Sequence, residues 1–148
     1  KPNDVREIYA VREALETLAV RILASDPQPD RLAPLQAIVA RMRQAYNEGN
    51  VQRQFELDVE FHTALCAATG NRRLQDLFAS LRPDVQRIFL FAVNAMTLEG
   101  PDAPEVALAE HEALLQAITD GDPALATSRL IAHTAERAPR IAGALGGN

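Results

Sequence analysis

The sequence holds 148 residues, 47% of them hydrophobic, enough for one domain with a buried core and too few for two comfortable ones. A formal net charge of −5 with no run of Lys or Arg leaves no electrostatic footprint for direct nucleic-acid binding. No apolar run approaches the ~20 residues of a membrane span, and the single cysteine, Cys66, excludes an internal disulfide and a thiolate-only zinc site.

The amino end, Lys1-Pro2-Asn3-Asp4, lacks a signal-peptide core, so a cytoplasmic location is expected. Its polar start without Met suggests a piece of a longer protein. From about Asp4 to Ala24, apolar residues recur at Val5, Ile8, Leu15, Ala19 and Ile22, an amphipathic helix. Arg12 interrupts that stripe. A guanidinium there leans toward the interior or its rim and needs an anion, either Glu16 one turn on or a bound ligand, unless it snorkels to the surface.

Pro27 to Asp30 forms a connection in which Asp30 is a candidate cap, and the next helix presents Leu32, Leu35, Val39, Met42 and Tyr46 on one face. Glu48-Gly49-Asn50 stops it, and a third helix runs from about Val51 to Ala68, closed by Gly70-Asn71. Between Arg72 and Thr97 the apolar spacing continues, but Pro83 must divide it into a short and a longer helix. Arg87 lies on the longer piece and either reaches solvent or lines a pocket.

Glu99 to Pro104 reads as a loop, followed by a helix from about Glu105 to Thr119 bearing Leu108, His111, Leu115 and Ile118. Asp122 caps the last helix with Pro123 at its first position, and that helix is expected to run from about Ala124 to Ala138, with Leu130, His133 and Arg137 inward. Pro139 and the stretch from Gly143 should fray into a tail. No segment alternates with period two, so the fold class is all-α, an antiparallel helical bundle of about six or seven helices forming one domain over 1–148.

The third helix carries the most informative stretch. Its apolar stripe runs Val51, Phe55, Asp58, His62, Leu65, Thr69, placing a carboxylate and an imidazole one turn apart where Leu or Ile is expected. The two remaining histidines, His111 and His133, also fall on inward stripes. The turn at Gly121 comes about ten residues after one and about twelve before the other, so a hairpin brings them roughly level. Three imidazoles and a carboxylate suit a divalent transition metal, zinc first, with nickel, manganese or iron as alternatives, and can leave a coordination position for a small anion. Taken singly, a histidine on an apolar stripe is more often a hydrogen-bonded core residue than a ligand. Glu60, Glu110 and Glu112 neighbour the candidate ligands but should point elsewhere, and neither His-Glu-x-x-His nor a phosphate loop is present, so an enzyme is not expected.

Val11-Arg12-Glu13-Ala14-Leu15-Glu16, Asp58-Val59-Glu60-Phe61-His62 with Thr69-Gly70-Asn71, Glu110-His111 leading to Ala117-Ile118-Thr119-Asp120-Gly121-Asp122, and His133 follow one another in an order that resembles the effector-binding C-terminal (FCD) domain of GntR-type regulators of the FadR subfamily. The resemblance implies metal ligands at Asp58, His62, His111 and His133, and an effector carboxylate met by Arg12 and, more weakly, Arg87. It also implies a small carboxylate metabolite as ligand, a homodimer, and operator DNA held only through an N-terminal winged helix-turn-helix that this chain lacks. A metal-dependent enzyme and a purely structural dimerisation domain are the alternatives.

Overall fold

The computed structural model describes residues 2–96 and 103–146, and its described residues form seven helices and no strand. These are α1 (Pro2–Ser25), α2 (Pro29–Asn47), α3 (Val51–Ala68), α4 (Arg72–Ser80), α5 (Arg82–Met96), α6 (Ala103–Thr119) and α7 (Pro123–Gly146). The expected loop from Glu99 to Pro104 lies mostly outside the described residues. No described helix is long and apolar enough to cross a membrane.

The boundaries follow local chemistry. Asn50, Asn71 and Asp122 each accept a hydrogen bond from the backbone N–H three residues on, at 3.0, 3.1 and 2.9 Å, which satisfies a donor the first turn leaves open. Asp30 is not a cap: α2 starts one residue before it, on Pro29, and Asp30 sits in the first turn where its charge suits the helix dipole. The break expected at Pro83 falls just before it, at Leu81, leaving Pro83 in the first turn of α5 where its missing N–H costs nothing.

The turn between α6 and α7 depends on Gly121, whose φ of +72° lies in the left-handed region. A Cβ there would meet Ala24 O at 3.6 Å and Pro27 Cγ at 3.7 Å, so the cost of a side chain is in the backbone rather than in a clash. Gly121→Val should destabilise the fold by about 1–2 kcal/mol, seen in denaturant unfolding, while Gly121→Asn should cost clearly less.

One core joins every described helix except α5. Leu23, Leu32, Leu35, Leu57, Phe61, Leu65, Leu74, Leu114, Ile118 and Leu130 belong to a single buried cluster. Helices α1 and α7 pack antiparallel along their length. Val5 and Tyr9 share a second cluster with Ile141, Glu13 meets Thr134, and Ala24 lies beside Gly121. This pairing corrects the expected end of α7 near Ala138. Pro139 removes one helical hydrogen bond, but Ile141 and Ala142 are buried beyond it, and that burial keeps the helix going to Gly146.

Candidate metal centre

Four helices deliver side chains to one point in the core. On α3, Gln54, Asp58 and His62 stand four residues apart and so share a face. His111 comes from α6 and His133 from α7, level across the hairpin with ring centroids 4.7 Å apart. Arg12 and Glu16 come from α1, and Arg137 follows His133 by one turn. The three imidazoles are 0–5% exposed, and Phe61 sets its ring edge-on against His62 and His111, walling the cluster on one side. One ligand-type atom from each of Asp58, His62, His111 and His133 lies within 4.8 Å of all the others.

The outer nitrogens decide what these atoms are. Nδ1 of His111 contacts the Ala107 carbonyl oxygen at 2.6 Å, Nδ1 of His133 contacts Glu110 Oε2 at 2.6 Å, and Nδ1 of His62 contacts Glu16 Oε1. Backbone carbonyls and carboxylates accept, so each Nδ1 carries a proton and donates it. In a neutral imidazole the other nitrogen, Nε2, then presents a lone pair. All three Nε2 atoms face inward: those of His62 and His133 are 3.2 Å apart, and His62 Nε2 is 3.3 Å from Asp58 Oδ1.

The closest approach tests whether a cation fits. His111 Nε2 and Asp58 Oδ1 are 2.5 Å apart, yet both are buried and neither makes a hydrogen bond among the described residues. With the imidazole neutral and its proton on Nδ1, two lone pairs face each other across this distance. Such a contact is repulsive unless a positive charge lies among the atoms. Imidazoles oriented through Nδ1 by carboxylate or carbonyl acceptors, with Nε2 converging on a carboxylate, form a donor set suited to a divalent transition metal.

Electrostatics favour the neutral imidazole at two of the three histidines. Burial holds the pKa of His111 below its usual value against the pull of Asp58, and burial with Arg137 nearby takes His133 well below. Burial opposes charge on His62 too, but Glu16 and Asp58 outweigh it and raise its pKa. Burial would raise Asp58, yet Arg137, which donates to Oδ2 at 2.8 Å, and His111 hold its carboxyl well below the usual range. Asp58 is therefore a carboxylate with one oxygen occupied by Arg137 and the other turned to the histidines.

The candidate effector arginines separate. Arg12 is 7% exposed, pairs with Glu16 at 3.3 Å and lies over the Tyr9 ring, so it joins the cluster through Glu16. Both anions weighed for Arg12 from sequence thus remain in play, since Glu16 occupies only part of its guanidinium. The structure does not bring Arg87 there: its side chain is 77% exposed and pairs with Asp84 in the first turn of its own helix. Sequence reasoning placed Arg137 inward, offered Glu16 only as a partner for Arg12, expected Glu110 to point elsewhere and did not single out Gln54. Glu16 was legible, being one turn from Arg12 on the same face. Glu110 points away from its neighbour His111 but reaches His133 across the hairpin, which no spacing within one helix reveals. Glu60 and Glu112 point elsewhere as expected, toward Arg41 and Arg43 of α2.

The FCD domain family matches residues 7–136. The chain is 24% identical over 132 residues to YdhC of Bacillus subtilis, named an uncharacterized HTH-type transcriptional regulator, covering 88% of this chain and 57% of that protein. It is also 24% identical to an HTH-type transcriptional regulator encoded in an unstable DNA locus of Streptomyces ambofaciens, covering 89% of this chain and 53% of the relative. The chain thus spans about half the length of the curated relatives it matches. Among solved structures, Streptococcus agalactiae GntR shares the fold, with a TM-score of 0.71 and 24% identity over 92% of this chain and 57% of that one. These relatives are named as regulators of transcription rather than as enzymes, and the chain belongs to the FCD domain family.

Proposed function

We propose that this chain is the ligand-sensing domain of a cytoplasmic GntR-type transcriptional regulator. It would hold one divalent transition metal, zinc in the first instance and otherwise nickel, manganese or iron, through Asp58, His62, His111 and His133. The observation that carries this reading is the convergence of three imidazoles and one carboxylate on one point, with every Nδ1 already engaged. A bound ion supplies positive charge to which an oxygen of a small carboxylate metabolite can attach.

Charge balance supports an anionic ligand. With the three imidazoles neutral, as metal ligands must be, the carboxylates of Asp58, Glu16 and Glu110 face the guanidiniums of Arg12 and Arg137 with one negative charge in excess. A divalent cation reverses that excess to one positive charge, and a buried unpaired charge is costly until an anion meets it. Arg12 and Arg137 are the arginines placed to help, and Arg87 is not. In the full-length regulator, by this reading a homodimer, ligand binding would shift how a separate N-terminal domain engages operator DNA. The shift is limited to the difference in ligand affinity between the two arrangements.

The test is calorimetry with a panel of small carboxylates on metal-loaded and metal-stripped protein. Binding should require the metal, His111→Ala should lower metal content and acid affinity together, and Arg87→Ala should leave both within about twofold. Full acid binding by a variant that holds no metal would refute the coupling.

A further inference from the structure

Gln54 is the least explained polar residue beside the cluster. It sits one helical turn before Asp58 on the same face of α3 and is 5% exposed. Its Nε2 donates to the Pro104 carbonyl at 2.6 Å. Because that carbonyl only accepts, the amide cannot be turned over, and Oε1 is fixed on the other side. Oε1 is buried and has no hydrogen-bond partner among the described residues. Gln54 lines a cavity of about 10 Å³ together with Phe55, Asp58, His111 and Arg137. That volume takes about one water or one ligand heavy atom.

A buried acceptor needs a donor, and a ligand that brings one satisfies it in place of a water. Arg137 lines the same cavity and donates from one guanidinium nitrogen to Asp58, and it makes no hydrogen bond to Gln54 among the described residues. A carboxylate or ether oxygen placed against Oε1 would set acceptor against acceptor. An ammonium would donate, but it would enter a site that already holds a guanidinium and, on the reading above, a divalent cation. A hydroxyl donates without adding charge.

We propose that Gln54 is a specificity-determining residue whose amide oxygen accepts a hydrogen bond from a hydroxyl borne beside the carboxylate of the ligand, so that the site selects hydroxy acids over plain acids. This inference rests on the metal-and-carboxylate reading. Chelation of the metal by the same hydroxyl could produce a similar preference, and the Gln54 side chain separates the two causes.

The experiment titrates glycolate, acetate and methoxyacetate into zinc-loaded parent and zinc-loaded Gln54→Met, with zinc content and thermal midpoint recorded for both. Methoxyacetate keeps an oxygen able to chelate but has no proton to donate. The parent should favour glycolate over both others by roughly tenfold or more, and Gln54→Met should bring glycolate to within about threefold of acetate with its zinc retained. A parent that binds methoxyacetate as well as glycolate overturns the proposal with no variant needed, as does an undiminished glycolate preference in Gln54→Met. If the zinc-loaded parent binds none of the three acids, the metal-and-carboxylate reading falls and this inference falls with it.

Discussion

Zinc added to metal-stripped protein should raise its thermal unfolding midpoint by roughly 10 °C at a thousandfold excess over the dissociation constant, and a chelator should reverse it. The size follows from linkage. An ion that binds only the folded chain at that excess contributes about 4 kcal/mol, and each kcal/mol moves a domain of this length by roughly 2–4 °C. The His133→Ala variant makes the prediction specific. Without metal, the raised pKa of His62 favours a proton on its Nε2, which faces the His133 Nε2 at 3.2 Å, so removing the His133 imidazole loses that contact and its packing. With metal, the same removal takes away a ligand. His133→Ala should therefore cost some stability in the stripped state and clearly more in the loaded state. A structural core histidine would give equal losses in both, and an equal loss would sink the metal reading.

How much of this was legible in the sequence depends on how far each contact reaches. Residues three and four apart on one helix announce themselves, so Asp58 with His62, and the inward placement of Arg12, needed only the period of the helix. The level placement of His111 and His133 needed one more step, a turn at a known distance from each, and Gly121 with Asp122 supplied it. Contacts between elements far apart in sequence had no such ruler. Arg137 reaches Asp58 across 79 positions and Glu16 reaches His62 across 46, and nothing local marks either pair. Pro139 misled for a related reason. Its local effect is to break a helix, and the burial of Ile141 against α1 that overrides it appears only when the two ends of the chain meet. Arg87 could be read either way until the rotation of α5 about its axis was set by packing, which turned its guanidinium to solvent.

Replacing Glu16 should cost more than any other single polar substitution in the domain, and its cost should divide into two parts that can be measured separately. Glu16 is fully buried between Arg12 and Nδ1 of His62. Glu16→Ala leaves the Arg12 guanidinium buried without its counter-ion, a loss of about 3–5 kcal/mol seen as a lower denaturation midpoint. It also removes the acceptor that orients His62, which should weaken zinc by about 10- to 100-fold. The double variant Arg12→Met, Glu16→Met removes both charges and keeps apolar volume at the site. Most of the stability should return, since well-packed hydrophobic residues commonly replace a buried ion pair at little cost. Zinc affinity should not return, because Nδ1 of His62 still lacks its acceptor and the ring is free to turn. Acid affinity should fall below that of Glu16→Ala at matched zinc occupancy, because Arg12 is then absent from the ligand site. A double variant that regains both stability and zinc would show that Glu16 serves Arg12 alone, and that the orientation of His62 is set by its packing against Phe61.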